Sequence, residues 1–168
     1  MGVVVRRVGV PADSADVVVA PERPEFEALF GAQRTGMVRL AYVITGSSGI
    51  AEEVVQEAFV RLHQRWDTIE NPIGFLRTVV TNLSRSEVRR FQMQRRKPIP
   101  RAEPVGDPEI DETWAAVCRL PVRQRAVLAL RYYADLPETE IARILGCRLG
   151  TVKSSHHRAI AKLREELS

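Results

Sequence analysis

From residue 25 the apolar positions fall into helical spacing and, outside one long interruption, keep it to the end of the chain. Phe26, Leu29 and Phe30, then Met37, Leu40, Ala41 and Ile44, recur at steps of three and four, as on helices with one buried stripe. Gly46-Ser47-Ser48-Gly49 breaks the run. A third helix is predicted after it, with Ile50, Val54, Ala58 and Leu62 on one side and Val55 and Phe59 beside them. Glu52 and Glu53 in its first turn suit the positive end of the helix dipole. Asp67 to Asn71 reads as a loop. Asn71-Pro72 is a start signal, the asparagine capping and the proline taking the first helical position. The helix that follows turns Ile73, Leu76, Val79, Val80 and Leu83 inward and carries Arg77, Thr81, Arg85 and Arg89 four apart on another face. Arginines at that spacing repel one another mildly, which points to an anionic partner for this face.

Between Gln92 and Thr113 no apolar period survives, and Pro98, Pro100, Pro104 and Pro108 exclude a continuous helix. The segment reads as a flexible linker of roughly 22 residues, able to span ~75 Å when extended. Beyond it a short helix from Trp114 to Leu120 is followed by a restart at Pro121, with Val127, Leu130 and Tyr133 or Ala134 inward, and Asp135-Leu136-Pro137 turns the chain again. Residues 1–24 are Val-, Ala- and Pro-rich without periodicity and are expected to be a loose arm. No strand pattern appears. The expectation is an all-α chain of two small helical domains, residues 25–91 and 114–168, joined by the linker 92–113.

Residues 138–158 carry the sharpest local pattern. Ala142 lets two helices approach, Gly146 closes the first, and Val152 plugs the second against it, with Ile141, Leu145 and Leu149 as the apolar seam. This is helix-turn-helix spacing. Lys153, Ser154, His157 and Arg158 then fall on faces that a DNA groove can receive. His156 lies four residues from both Val152 and Ile160, in the apolar stripe, and reads as a hydrogen-bonded core histidine.

Charge sharpens the reading more by distribution than by total. The chain has 168 residues, 25 Lys+Arg against 21 Asp+Glu, and a formal charge of +4. Segment 84–101 holds Arg85, Arg89, Arg90, Arg95, Arg96, Lys97 and Arg101 against Glu87 alone; 102–114 is purely acidic; 115–168 is basic again. Two basic blocks separated by an acidic tether suit two contacts with a polyanion. No apolar run approaches the ~20 residues of a membrane span, and the start lacks the apolar core of a signal peptide. Cys118 and Cys147 are far apart and without metal-ligand spacing, so reduced, packing cysteines in a cytoplasmic protein are expected, with no metal and no cofactor.

Taken together, the two halves resemble bacterial RNA polymerase sigma factors of the extracytoplasmic-function group. Ala51-Glu52-Glu53-Val54-Val55-Gln56-Glu57-Ala58-Phe59 is similar to that family's core-polymerase-binding helix, and Pro72-Ile73-Gly74-Phe75-Leu76 leading to Asn82 to its promoter-melting segment. Leu120-Pro121 with Arg123-Gln124-Arg125, and Gly150-Thr151-Val152-Lys153-Ser154, resemble its domain for the upstream promoter element. The resemblance implies that Glu53, Gln56 and Glu57 dock on core polymerase. It also implies that Arg77, Thr78, Asn82, Arg85 and Arg89 face the non-template strand of the −10 element, with Trp66 walling a base pocket or serving as core. Lys153, Ser154, His157 and Arg158 would meet base edges or adjacent phosphates of the −35 duplex, with Thr151 and Ser155 better placed for phosphate. The implied partners are core RNA polymerase, promoter DNA and an anti-sigma protein, which the linker would let clasp both domains; no membrane is implied.

The sequence departs from the family pattern at Arg148, where a capping serine is frequent. Arginine cannot accept that hydrogen bond, which costs about 1 kcal/mol unless Arg148 grips phosphate. Ser155-His156, Ser86 and Phe75 also depart. Two other classes compete. A helix-turn-helix regulator that binds duplex DNA without polymerase would have no use for Glu53, Gln56 and Glu57 beside an Arg/Thr/Asn helix. An enzyme would need a nucleophile, phosphate loop or metal cluster, and Ser154-Ser155-His156-His157 lack an orienting acid.

Overall fold

The first apolar stretches form one helix. α1 spans Phe26–Thr45 and passes through Gly31 and Gly36 without a break, because Leu29, Met37, Leu40, Ala41 and Ile44 keep one continuous buried stripe. It stops where Gly46 adopts a left-handed conformation (φ 73°) and its N–H closes on the Tyr42 carbonyl at 2.8 Å. The computed structural model describes residues 25–94 and 108–168. The expected arm, 1–24, and the middle of the expected linker, 95–107, lie outside the described residues.

α2 (Ser48–Gln64) is capped by Ser47, whose Oγ accepts the Ile50 N–H at 3.4 Å. A 3-10 turn at Trp66–Thr68 leads to α3 (Pro72–Gln94). Asn71 caps α3 as the sequence predicts: its Oδ1 accepts the Gly74 N–H at 2.9 Å. A Cβ at position 74 would sit 2.8 Å from the Asn71 amide, so the glycine is what lets the cap fold over the helix. The three helices bury Ile44, Val55, Leu62, Leu76 and Val80 between them.

α4 (Pro108–Arg119) and the last turn of α3, Gln92 to Gln94, occupy both ends of the span expected to be linker. Pro108 stands at the first position of α4, where a proline does not interrupt a helix. α5 (Val122–Leu128) runs into a π-helical stretch, Ala129–Tyr133, closed by the Ala134 N–H on the Ala129 carbonyl at 3.1 Å. α6 (Glu138–Leu145) and α7 (Leu149–Glu166) complete the chain. Every element among the described residues is helical.

The two halves, expected to be independent, share a core. A single apolar cluster runs from Leu40, Leu76 and Val88 to Val122, Ala126, Leu130 and Ile141. α3 packs against α5 and α6, and α1 against α5 and the π-helical stretch. At one edge Tyr42 stacks on Trp114 with ring centroids 4.9 Å apart and planes 15° from parallel. Arg125 is buried at the same seam, its guanidinium hydrogen-bonded to Cys118 and close against Gly46.

Candidate nucleic-acid and polymerase interfaces

The turn between α6 and α7 is built as the sequence pattern requires. Gly146 takes a left-handed φ of 59°, and the Cys147 N–H returns to the Ala142 carbonyl at 3.0 Å. Val152 and Ala159 plant α7 in the core, which fixes the face it presents. Arg148, Lys153, Ser154, His157 and Arg158 are exposed on that helix and its entry, and Thr151 is half-buried. Arg148 is the residue before α7, and its side chain makes no cap hydrogen bond. Three residues of this motif correct the sequence reading. Ser155, expected near phosphate, is buried on the inner side between Val152 and Ala159. His156 is not a core histidine: it is half-exposed, with Nε2 2.8 Å from the hydroxyl of the exposed Tyr132. Leu149, expected in the apolar seam, is exposed. The seam is closed instead by Ile141, Ile144, Leu145 and Val152.

α3 brings a fourth correction, because its cationic row is not a free face. Asn82 and Arg89 are exposed and Arg77 and Thr78 half-buried, but Arg85 is buried, at 7% exposure. Its guanidinium donates to Asn82 Oδ1 at 3.4 Å. Burial lowers its pKa, and the neighbouring Arg89 and Arg123 add to that. Arg123 belongs to α5, so Arg85 lies under the C-terminal half. Arg77 feels Glu140 of α6, whose carboxyl is held below its usual range chiefly by its hydrogen bond to Arg143. Thr81 and Ser84 are fully buried with hydroxyls that find no partner among the described residues. Thr78 donates to the Gly74 carbonyl at 2.9 Å. Trp66 is half-buried and meets Phe26 edge-on at 5.3 Å, closing the end of the three-helix core.

α2 contacts α1 and α3, and its outer side carries Glu53, Gln56 and Glu57, all three exposed; because the helix already starts at Ser48, Glu52 and Glu53 lie beyond the first turn in which the sequence reading put them. Glu52 is drawn to Arg34 at 2.6 Å, and Glu57 to Arg61 at 2.7 Å. Gln56 also borders an apolar groove of ≈540 Å³ lined by Phe26, Phe30, Phe59, Val60 and His63. Sequence reasoning missed it. The signal was there in Phe26 and Phe30, one turn apart, with Val60 half-exposed outside the predicted stripe.

Among the described residues no group of three His, Cys, Asp or Glu side chains is arranged to hold a metal ion, and no helix is long and apolar enough to cross a membrane.

Residues 29–94 match the family described as sigma-70 region 2, and residues 110–163 match sigma-70 region 4. The RNA polymerase sigma-E factor of Streptomyces coelicolor is 32% identical over 155 residues, covering 85% of this chain and 86% of that protein. The ECF RNA polymerase sigma factor SigL of Mycobacterium tuberculosis is 32% identical over 161 residues, covering 86% of this chain and 90% of its own. The sigma factor RpoE of Bartonella quintana, crystallised with the anti-sigma factor NepR, has the same fold. Its TM-score is 0.70 at 22% identity, over 84% of this chain and 96% of that one.

Proposed function

The chain belongs to the sigma-70 family of RNA polymerase sigma factors, in the extracytoplasmic-function group, and from that premise we propose how its surfaces divide the work. It is a transcription initiation factor, binding core RNA polymerase and directing it to promoter DNA. In the proposed division, residues 114–168 form the −35-reading domain and α7 is the helix laid in the major groove. Lys153, Ser154, His157 and Arg158 meet base edges or the adjacent phosphates, and Arg148 and Thr151 hold phosphate. Residues 25–91 form the domain that docks on polymerase and opens the −10 element. Glu53, Gln56 and Glu57 supply the docking face. Asn82 and Arg89 lead the contact with the non-template strand, with Arg77, Thr78 and Arg85 joining them and Trp66 bracing that end of the domain.

The observation that carries this reading is the polar stripe on α7, exposed because Val152 and Ala159 pin the opposite side of the helix in the core. The factor acts by binding, with no catalytic chemistry of its own, and works in the cytoplasm on the nucleoid. An anti-sigma protein of the kind bound by the Bartonella relative is a further proposed partner. Run-off transcription with core polymerase, with and without this protein, tests the whole. Promoter-dependent product is expected only in its presence. Failure to bind core polymerase overturns the assignment of α2.

A further inference from the structure

We propose that Arg85, Arg89 and Arg123 form a site for a diphosphate group, with Arg85 as its floor and Arg89 of α3 and Arg123 of α5 as its rims. The proposal goes beyond the division of surfaces given above and needs neither promoter assignment. Its first support is a gathering of like charge. Arg85 is buried, and the groups that act on its charge are Arg89, Arg123 and Cys147, the last in the turn between α6 and α7. Arg89 and Arg123 are exposed, on two helices that pack together. Among the described residues none of the three arginines forms an ion pair. Glu87, the one acid in segment 84–101, is held instead by Arg90 at 2.8 Å. Cations brought together without an acid repel one another, and a buried one carries a desolvation cost besides. A bound anion relieves both.

The second support is unmet hydrogen bonding in the same place. Arg85 donates to Asn82 Oδ1 at 3.4 Å, while its Nε is buried without a partner among the described residues. Thr81 and Ser84, one turn and one residue before it on α3, are fully buried, and their hydroxyls have no partner there either. A guanidinium offers five N–H donors in a planar fork that matches the oxygens of phosphate. Donors already withdrawn from water bind a charged acceptor more strongly than solvated ones do. Charge then decides how many phosphoryl groups the site takes. Each carries about −1.5 to −2 near neutrality, so three guanidiniums call for two of them, side by side. A DNA strand instead spreads single charges along its length, which suits a row of contacts better than one mouth. The diphosphate can arrive free or as part of a nucleotide, and a titration separates the two.

Sodium diphosphate is titrated into the full chain by calorimetry, in buffer without divalent cations, which would occupy the same oxygens. Saturable one-to-one binding is expected, roughly tenfold or more tighter than that of orthophosphate at equal ionic strength. Arg123→Gln should weaken it about tenfold or more, through loss of a hydrogen-bonded charge. Arg123→Lys should recover only part of this, since an ammonium lacks the fork. Position 123 is exposed, so both variants should keep the melting temperature of the unliganded parent. Arg164→Gln removes an equal charge from the exposed end of α7 and should leave the affinity within about twofold. ADP binding as tightly as diphosphate assigns the site to a nucleotide, and ADP weaker by about tenfold assigns it to the free anion; either upholds the site.

Absence of saturable binding overturns the proposal, as does diphosphate binding no tighter than orthophosphate. Unchanged affinity in natively folded Arg123→Gln overturns it as well. So does equal weakening by Arg123→Gln and Arg164→Gln, because the effect is then a general attraction for anions. If a mixed-sequence single strand binds the full chain and diphosphate does not, the cluster serves a DNA strand alone. The diphosphate site then falls while the reading of α3 stands.

Discussion

Position 148 shows how a single residue can be placed by two demands at once. It stands at the N-cap of α7 with extended backbone (φ −71°, ψ 148°), as a capping residue should, but its side chain has no acceptor to offer. Arg148→Ser restores the cap and should raise stability by ~1 kcal/mol. Denaturant unfolding reads this as a higher midpoint at unchanged m. The same change removes a cation at the mouth of the proposed groove contact, so affinity for promoter duplex should fall as stability rises. Lys153 faces no such double demand, being exposed on the polar side of α7. Lys153→Ala should weaken binding to the upstream element and lower the duplex salt slope by ~0.9, the loss of one phosphate-range cation, with stability unchanged. Asn82→Ala should leave duplex binding nearly intact and impair strand opening, read as loss of permanganate reactivity in the −10 region. Such residue-scale placements were legible in the sequence wherever chemistry and helical phase agreed, as in the exposure of Lys153, His157 and Arg158. They failed at Arg85 and Ser155 for one physical reason. Charge and polarity speak for the surface, and only tertiary packing decides that a polar residue lies beneath another element.

Elements were the most legible level, because each boundary has a local cause. Asn71 with Pro72 opens α3, Ser47 opens α2, and Gly46 and Gly146 end α1 and α6 in left-handed conformations. Gly146 isolates the conformational part of that cause. No atom lies within 4 Å of where its Cβ would be, so Gly146→Ala meets no obstruction and should cost only backbone strain, about 1 kcal/mol. For a chain of this size that is a Tm lower by about 2–4 °C. Gly146→Asn should lose less, since asparagine tolerates the left-handed region. A much larger loss would mean that the turn depends on packing that the glycine itself provides. Where element reading failed, the cause was distance. The pattern set Phe26–Phe30 apart from Met37–Ile44 and counted the next helix as the third, but the stripe from Leu29 to Ile44 keeps one helix because α2 and α3 cover it. The prolines around 98–108 suggested a linker reaching to Thr113, yet Pro108 sits where a helix tolerates it.

At the scale of the whole molecule the sequence suggested two bodies on a tether, and one apolar cluster among the described residues joins them. Nothing local in Val88, Val122 or Ala126 states which helix from the other half they meet; only the assembled fold does. A shared apolar cluster has a thermodynamic consequence that separate domains lack. Fully buried aliphatic side chains contribute about 1.5–3 kcal/mol each relative to exposure, and those joining α3 to α5 and α6 are lost together if either half unfolds. The free protein should therefore melt in a single transition, with calorimetric and van't Hoff enthalpies equal. Trp114→Ala removes the ring stacked on Tyr42 and loosens the seam at its edge. It should split the transition or drop the ratio of van't Hoff to calorimetric enthalpy below one. Two transitions in the unmodified protein would show that the halves are energetically independent despite their contact. One transition that persists in Trp114→Ala would instead locate the coupling deeper, in the cluster around Val88, Leu130 and Ile141.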